Sequence, residues 1–450
     1  MFNKVVVANR GAIAARVLRA LDQMGIKSVA LYSEADYGAP YLEMASETYA
    51  IGASPARDSY LNQDLLLDVF ERAGVDGVHP GYGFLSENAQ FAERVQAAGI
   101  NFIGPSPKWI HAMGHKTRAR EIAAQYGMPM SKGSAVLPVQ PAAIVAAARE
   151  IGYPVLVKPA GGGGGIGMLP AKDEGELLAV VERSRSMATR GFGSAEVYLE
   201  RLFERPRHVE FQVLGDRHGN AVHLFERDCS VQRRNQKVIE EAPGPALERA
   251  RVTEVADQIA AIIKEMGYDN IGTVEMLMAA DGSFNFLEMN TRLQVEHGVT
   301  EEVTGVDLVK AQIRAAAGER LSDILPSRLA IKGHAIQARV YAEDPKNFFP
   351  SPGKLTVFRP PQDKSIRIET GYAEGRDVTP FYDPMIAKVI VHAASRDLAI
   401  ERLAQALESF DIKGPKTNIP MVIAVLRSAQ FGAGDVHTGL IPEVQAGRKS

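Results

Sequence analysis

The sequence predicts a multidomain protein of the α/β and α+β classes, with an N-terminal α/β domain, a central mixed domain and a C-terminal β-rich domain. The chain has 450 residues, which is too long for one compact hydrophobic core. Strand and helix patterns alternate near its start, and strand patterns separated by prolines dominate its last third. This change of pattern indicates that the domains differ in architecture.

Residues 1–115 carry the alternating pattern, which is typical of a parallel sheet flanked by helices. The predicted strands are residues 5–8, 28–32, 77–79 and 101–104, and the predicted helices are residues 12–24, 61–73 and 91–98. The first turn, residues 9–14, lacks the glycine spacing of a dinucleotide-binding fingerprint. A nicotinamide-dependent oxidoreductase is therefore not expected.

The pattern changes near residue 115 and again near residue 330, where we place the domain boundaries. The central part has predicted helices at 117–126, 142–151, 250–266 and 308–317, a strand at 155–157, and mostly strands between 199 and 289. From residue 333 the chain is strand-rich and ends in helices.

The charge balance and cysteine count exclude several classes of protein. Lys and Arg total 51 against 54 Asp and Glu, which argues against a nucleic-acid partner. The single cysteine, Cys229, excludes an internal disulfide and a zinc cluster and fits a reducing compartment. Neither a charged leader nor an apolar run approaching the roughly 18 residues of a membrane span is present. We expect a soluble, cytoplasmic protein.

The segment 273–297 is the most informative part of the chain. Two strand patterns around an Ala-Asp-Gly turn predict a hairpin. If the second strand stays extended beyond the hairpin, alternate side chains share one face. That face would carry Glu288, Asn290, Arg292, Gln294 and Glu296.

Glu275 lies on the partner strand of this hairpin. With Glu288 and Asn290 it offers the hard oxygen ligands that suit Mg²⁺ shared with substrate phosphates. The planar guanidinium of Arg292 suits a small carboxylate-like anion. The alternative is a half-exposed strand with a solvated polar face.

Lys158 ends a predicted strand and is followed by a glycine run, residues 161–165. Glycines let consecutive backbone N–H groups approach phosphate oxygens. The spacing Gly162-x-Gly164-x-x-Gly167 matches a dinucleotide-binding fingerprint only weakly, because no helix pattern follows. We expect instead a mobile lid over a nucleotide. A flexible linker is the alternative.

The charged segment 226–237 allows two interpretations, an ordinary surface loop or part of the site. A nucleic-acid patch is not supported, because no aromatic side chains interleave with its charges. Cys229 has no adjacent base in the sequence, so we do not expect it to act as a nucleophile.

Several long motifs, in this order, closely resemble those of the biotin carboxylases, which are ATP-grasp enzymes. The motifs are Ala8-Asn9-Arg10-Gly11, the run from His79 to Asn88, the glycine run, Pro206 to Glu210, Glu226 to Ser230, Glu288 to His297 and Arg339 to Pro345. The resemblance covers nearly the whole chain.

The resemblance implies three domains and a ligase reaction. Residues 1–115 would form a Rossmann-like, pre-ATP-grasp domain, 116–330 an ATP-grasp domain with a mobile lid at about 131–203, and 331–450 the C-terminal biotin carboxylase domain. ATP would phosphorylate bicarbonate to carboxyphosphate, and the resulting CO₂ would pass to N1′ of biotin. This is the first half-reaction of a carboxylase such as acetyl-CoA carboxylase, which serves fatty acid biosynthesis.

The resemblance also implies roles for individual residues. It implies ATP contacts by Lys116, Lys158, Gly163, Gly164, Gly165, Glu200, Leu202, His208, Gln232, Asn235, Glu275 and Glu288. It implies that Mg²⁺ or Mn²⁺ is held by Glu275, Glu288 and Asn290. It implies bicarbonate binding by Lys237, Arg292, Gln294 and the backbone of Val295, and biotin binding by Arg339 and Asp383.

Three of these residues are implied to be catalytic. Glu296 resembles the general base that deprotonates bicarbonate, Arg339 the cation that stabilises the biotin enolate, and Arg292 a cation at the reacting anion. A carboxylate beside several cations should have a lowered pKa, which keeps it ionised but makes it a weak base until substrate binds.

The sequence departs from the family pattern at three positions. Asn235 replaces the usual histidine, Ile166 the usual arginine of the lid loop, and Gly298 the usual proline. We expect the first two to remove potential phosphate contacts and the third to loosen the backbone beyond Glu296.

Partners and competing functions also follow from the resemblance. Because no Met-Lys-Met biotin-attachment motif occurs, biotin is expected on a separate carrier protein that also serves a carboxyltransferase. A homodimer is implied, with Arg16 at its interface and Arg19 nearby, although an exposed basic helix face explains both residues equally well. Other acyl-CoA or urea carboxylases, a carbamoyl-phosphate or purine-type ligase, and a catalytically silent ATP-binding module are the alternatives.

Overall fold

A computed structural model describes residues 1–161 and 166–447. Its N-terminal part is a five-stranded, wholly parallel sheet in the order β3-β2-β1-β4-β5, as the alternating pattern predicted. Its elements are β1 (Lys4–Val7), α1 (Gly11–Gln23), β2 (Lys27–Tyr32), β3 (Glu47–Ala50), α2 (Gln63–Ala73), β4 (Gly77–His79), α3 (Ala89–Ala97), β5 (Asn101–Phe102) and α4 (Pro107–Met113), with 3₁₀ turns at Glu34–Asp36, Pro40–Met44 and Ala56–Asp58. The central strand β1 is buried on both faces, because helices cover a parallel sheet on both sides.

Local capping fixes where the helices near the site begin. The Asn62 side chain accepts a hydrogen bond from the Leu65 N–H at the start of α2, and Asn88 accepts one from Phe91 N–H at the start of α3. Asn88 ends the loop that follows β4, and Asn9 holds this loop by donating hydrogen bonds to the Pro80 and Tyr82 carbonyls. Sequence analysis missed β3 and α4.

A small antiparallel unit follows, with sheet order β7-β6-β8. The elements of this region are α5 (Lys116–Gln125), α6 (Pro141–Ile151), β6 (Val155–Pro159), β7 (Leu169–Ala171), α7 (Glu174–Phe192) and β8 (Val197–Arg201). Its buried core consists of residues between 137 and 199 only, so the unit packs on itself. Sequence analysis missed α7, which begins at an Asp173 cap and ends at Gly193 in the left-handed conformation.

The remainder is built on an eight-stranded antiparallel sheet, in the order β13-β12-β9-β10-β11-β14-β19-β17. The elements are β9 (Arg207–Gly215), β10 (Ala221–Arg233), β11 (Gln236–Ala242), α8 (Arg249–Met266), β12 (Asn270–Met278), β13 (Phe284–Asn290), α9 (His297–Thr304), α10 (Leu308–Ala316), α11 (Leu321–Ile324), β14 (His334–Tyr341), β15 (Gly353–Lys354), β16 (Val357–Arg359), β17 (Ile366–Thr370), β18 (Asp377–Val378), β19 (Met385–Ala393), α12 (Arg396–Ser409), β20 (Asp411–Lys413), α13 (Ile419–Leu426), α14 (Ala429–Ala433) and α15 (Leu440–Gly447).

The pairing of β11 with β14 joins the central part of the chain to the C-terminal part in one sheet. The boundary expected near residue 330 lies in the irregular segment between α11 and β14, and the sheet continues across it. Residues from both parts therefore have fixed positions relative to one another. Among the helices of the described residues, none is long and apolar enough to cross a membrane.

Candidate active site

A cavity of about 850 Å³ lies where the three parts of the chain meet. Arg10 and Tyr82 reach it from the N-terminal part, Met168 from the small unit, and Tyr341 from β14. The predicted site residues that line it are Lys116, Lys158, Glu200, Leu202, His208, Gln232, Asn235, Lys237, Glu275, Glu288, Asn290, Arg292, Gln294, Val295, Arg339 and Asp383. The predicted contacts Gly163, Gly164 and Gly165 lie outside the described residues.

Glu275 and Glu288 face each other in the β12–β13 pair. Both line the cavity, and Lys116 Nζ lies 3.6 Å from a Glu288 carboxylate oxygen. Asn290 donates a hydrogen bond to Glu275 Oε1 at 2.9 Å, and its Oδ1 accepts one from Arg292 at 2.9 Å. Two opposed carboxylates and an amide oxygen are a donor set that fits a hard divalent cation. Glu275 and Asn290 are buried, so the solvated-face interpretation is wrong.

The second strand of the predicted hairpin is confirmed as β13, which ends at Asn290. Residues 291–294 are irregular, Val295 and Glu296 form a turn, and α9 begins at His297. The condition that the segment stays extended beyond the hairpin is therefore not met, and alternation does not place Gln294 and Glu296. The turn before α9 still brings both side chains to the hairpin, because Gln294 donates to Glu275 Oε1 at 3.3 Å and Glu296 shares the Lys237 ammonium with Glu275.

Glu296 is completely buried beneath the cavity and lies between two cations. Its Oε1 accepts a hydrogen bond from Lys237 Nζ at 2.8 Å, and its Oε2 accepts one from Arg339 at 3.0 Å. Burial disfavours its charge, but Lys237, Arg339 and Arg227 outweigh burial and hold the pKa of Glu296 well below its usual value. Glu296 is therefore ionised, as predicted.

Lys237 contacts three carboxylates at once. Its Nζ donates to Glu210 at 2.5 Å and to Glu275 at 2.6 Å, in addition to Glu296. Burial opposes its charge, yet these carboxylates raise the pKa of Lys237 well above its usual value. An anion that approached Lys237 would compete with Glu296 for the same ammonium.

Three carboxylates that hold these cations were not assigned roles from the sequence. Arg292 donates to Glu87 Oε2 at 2.8 Å, and Arg339 donates to Glu240 Oε1 at 2.5 Å. Glu210, the third, bonds to both Lys237 and the fully buried Arg227. Glu87 and Glu210 lie in the quoted motifs and Glu240 does not, and the partners of all three are set by packing between segments far apart in the chain.

The nucleotide side of the cavity is built around a buried ion pair. Lys158 Nζ lies 3.1 Å from Glu200, whose carboxylate also accepts hydrogen bonds from Arg120 and Tyr198. Burial opposes the Glu200 charge, but Lys158 and Arg120 lower its pKa. Both carboxylate oxygens of Glu200 thus have partners, since Arg120 and Tyr198 bond to Oε1 and Lys158 bonds to Oε2. Leu202 lies beside it at the cavity wall.

His208 and Gln232 lie together on β9 and β10, with His208 Nδ1 2.9 Å from Gln232 Nε2. His208 Nε2 is 3.0 Å from Glu275, so His208 and Gln232 lie next to the carboxylates that could bind a metal ion. The segment 226–233 is buried within β10, and the surface-loop interpretation is wrong. Burial raises the pKa of the Cys229 thiol well above its usual value, which agrees with the expectation that it is no nucleophile.

The three departures lie in different settings. Asn235 is exposed at the turn between β10 and β11 with a φ of 63°, and Ile166 is half exposed on the small unit. Gly298 lies in α9, where a Cβ would be 2.5 Å from Ile390 Cδ1. This glycine therefore permits a close helix–sheet contact, and the loosened backbone beyond Glu296 stays a prediction.

Three family models match the chain. "Biotin carboxylase, N-terminal domain" matches residues 1–110, "Carbamoyl-phosphate synthase L chain, ATP binding domain" matches residues 115–324, and "Biotin carboxylase C-terminal domain" matches residues 337–443. The model named after carbamoyl-phosphate synthase covers only the central part, and both outer models are those of biotin carboxylase.

Similar proteins extend over the whole chain. The biotin carboxylase of Halalkalibacterium halodurans is 47% identical over 451 residues and covers 100% of both chains. The solved pyruvate carboxylase of Rhizobium etli has a TM-score of 0.93 at 42% identity, over 98% of this chain and 40% of its own. The solved biotin carboxylase domain dimer of Hydrogenobacter thermophilus 2-oxoglutarate carboxylase, in complex with MgADP, ADP and bicarbonate, has a TM-score of 0.95 at 44% identity, with 98% of each chain covered. The chain belongs to the biotin carboxylase family of ATP-dependent ligases.

Proposed function

We propose that this chain carboxylates biotin with bicarbonate, through carboxyphosphate, in a reaction that needs ATP and Mg²⁺ or Mn²⁺. The observation that carries the proposal is the position of Glu296, a buried carboxylate between Lys237 and Arg339. It lies beside the opposed carboxylates Glu275 and Glu288. In this proposal a metal–nucleotide site and an anion site share one cavity, and the base lies beneath it.

The substrates have defined places in this proposal. Glu275, Glu288 and Asn290 would hold the divalent cation, which would withdraw charge from the terminal phosphate of ATP. Lys116 and Lys158 lie on the phosphate side, with Glu200, Leu202, His208, Gln232 and Asn235 around the rest of the nucleotide. Bicarbonate is bound by Arg292, Gln294, Lys237 and the Val295 N–H.

Bicarbonate activates its own base in this arrangement. When the anion binds, its negative charge partly neutralises Lys237 and Arg292. The pKa of Glu296 therefore rises toward that of a useful base. Glu296 takes the bicarbonate proton as a bicarbonate oxygen attacks the γ-phosphorus and ADP leaves. Carboxyphosphate then breaks its carbon–oxygen bond and yields CO₂ and phosphate.

Biotin is the acceptor of the CO₂. Phosphate removes the N1′ proton of biotin, and N1′ attacks CO₂ to form carboxybiotin. Arg339 stabilises the negative charge that develops on the ureido oxygen, and Asp383 lies at the same end of the cavity. Both reactive species form within one enclosed site, which limits their loss to water.

Residues 131–203 act as the lid in this proposal. Their unit has its own core and joins the body through paired segments, where Arg201 N–H donates to Lys132 O at 3.0 Å. Arg120, on α5 just before the lid, donates to Ser131 O at the start of the lid and to Glu200 on β8 near its end. These contacts define a hinge about which the lid closes on ATP.

For the physiological setting we propose a cytoplasmic homodimer that carboxylates biotin on a separate carrier protein, with a carboxyltransferase as the next enzyme. We propose acetyl-CoA as the final acceptor, in fatty acid biosynthesis. The solved relative from Hydrogenobacter thermophilus is a dimer. Here Arg16 is 4% exposed, so the exposed-face explanation fits only Arg19.

The test is ADP release from the purified protein with Mg²⁺, measured with and without bicarbonate and with and without free biotin. We expect release that biotin stimulates strongly and that disappears without bicarbonate. Arg339→Met should lose the stimulation, whereas Arg359→Met, at an exposed arginine of β16, should keep it. ADP release that does not change when biotin is added would contradict the proposal. It would indicate an acceptor of another class, such as ammonia.

A further inference from the structure

Lys388 is a buried charge that the proposed mechanism does not use. It lies in the middle of β19, and 1% of its surface is exposed. Arg339 on β14 and Glu369 on β17 are its direct neighbours across the sheet. Because directly opposed residues share one face of an antiparallel sheet, the three charged side chains form a row that begins at the active site.

The Lys388 ammonium donates a hydrogen bond to the Val295 carbonyl oxygen at 2.8 Å. The ring of Tyr82, which lines the cavity, lies 5.9 Å from the same nitrogen. Burial, partly opposed by Glu369, lowers the pKa of Lys388 to about 8. Because an apolar side chain of similar size avoids the cost of burying a charge, the fold alone does not call for a lysine here.

The bond to Val295 acts on the segment that carries the base. The Val295 carbonyl belongs to the peptide group that continues into Glu296. At the preceding residue, the Gln294 carbonyl lies 2.7 Å from His297 Nδ1. Two consecutive carbonyls of the turn are thus held by buried side chains. The same turn supplies Gln294, the Val295 N–H and the Glu296 carboxylate.

We propose that Lys388 is a positioning residue for bicarbonate activation, which fixes the Val295–Glu296 peptide and thereby the Glu296 carboxylate between Lys237 and Arg339. This inference rests on the proposed function, in which Glu296 takes the bicarbonate proton. A misplacement of about 1 Å at such a group is enough to slow a reaction substantially. If Lys388 only anchored α9 to β19, its replacement would lower stability and would affect the kinetic parameters for ATP and bicarbonate equally.

The experiment compares wild type with Lys388→Met, Lys388→Arg and the control Lys413→Met, at an exposed lysine of β20. Biotin-dependent ADP release gives kcat and the KM values for bicarbonate and ATP, and thermal denaturation reports the fold. We expect Lys388→Met to lower kcat/KM for bicarbonate by about tenfold or more and to leave the KM for ATP within about twofold. Lys388→Arg, which keeps a charged donor, should recover part of the loss.

Equal bicarbonate parameters in wild type and Lys388→Met would overturn the proposal. So would a decrease that affected ATP and bicarbonate equally and followed the folded fraction. If Lys388→Met does not fold, Lys388→Gln, which is one atom too short to reach Val295, carries the same expectation. Wild type without biotin-dependent ADP release would contradict the proposed function itself, whereas an active wild type with an unaffected variant contradicts only the role of Lys388.

Discussion

Glu296 Oε1 lies 2.8 Å from Lys237 Nζ, although Glu296 precedes α9 and Lys237 belongs to β11. The ammonium also bonds to Glu210 and Glu275. Lys237 therefore links the proposed base, Glu296, to Glu275 of the proposed metal site. Removal of the Glu296 contact or of the metal-site contacts should therefore affect ATP binding and bicarbonate chemistry to different extents.

Glu296→Gln should remove the base and keep the volume of the side chain. We expect biotin-dependent ADP release to fall by about 100-fold or more, because general-base catalysis typically contributes at least that factor. The KM for ATP should change little, since Lys237 keeps Glu210 and Glu275. Steady-state kinetics check this against Glu408→Gln, at an exposed residue of α12. A variant within threefold of the wild-type rate would remove Glu296 from the mechanism.

Asn235→His should tighten ATP binding. The residue lies at an exposed turn beside the cavity with φ 63°, a conformation that histidine tolerates better than most residues. One added hydrogen bond of about 1 kcal/mol corresponds to roughly a fivefold lower dissociation constant. Calorimetric titration with ATP measures it. Asn235→Gly, which keeps the backbone conformation and adds no donor, is the control, and an unchanged or weaker constant in Asn235→His counts against the prediction.

Gly298→Ala should destabilise the protein because its Cβ would lie 2.5 Å from Ile390 Cδ1 in a buried contact. Overpacking of this kind costs about 1–3 kcal/mol. Ile390→Val removes the opposing methyl group, so the double variant should be more stable than the sum of the single changes allows. Denaturant unfolding of the four proteins measures the coupling. Simple additivity would show that the two residues do not compete for space.

Glu369→Gln should change how stability depends on pH. Burial raises the pKa of Glu369, but Lys388, Arg367 and Arg19 outweigh it and lower the pKa to about 2. A lowered folded-state pKa gives stability that is present above the unfolded value near 4.5 and lost as the pH falls toward 2. The stability advantage of wild type over the variant should therefore shrink, by up to about 3 kcal/mol, on acidification. Urea unfolding at pH 6, 5, 4 and 3 tests this, and a constant difference would contradict it.

Much of the fold follows from local sequence pattern. The parallel N-terminal sheet and the β12–β13 hairpin were predicted because each depends on period, length and turn residues within a short segment. The long helix α7 has the same kind of local signals, an Asp173 cap and a terminal glycine, and could have been found from them. The eight-stranded sheet could not, because the β11–β14 pairing joins residues about a hundred positions apart.

The site was predicted through motifs more than through geometry. The alternation of side chains along a strand correctly placed Glu288 and Asn290 on one face of β13. It does not apply beyond the end of β13, where a turn and α9 replace the strand. The carboxylates that bind Lys237, Arg292 and Arg339 could not be predicted from the sequence, for a different reason. Glu87 meets Arg292 only because the N-terminal sheet packs beside the hairpin, a contact across 205 positions of the chain.

The most direct test of the account is the transfer of ¹⁴C from labelled bicarbonate to free biotin, recovered as an acid-labile adduct. We predict that wild type forms the adduct only when ATP and Mg²⁺ are both present, and that Glu296→Gln binds ATP but forms none. Wild-type protein that hydrolyses ATP in the presence of bicarbonate and biotin without labelling biotin would contradict the claim that this cavity joins the two substrates.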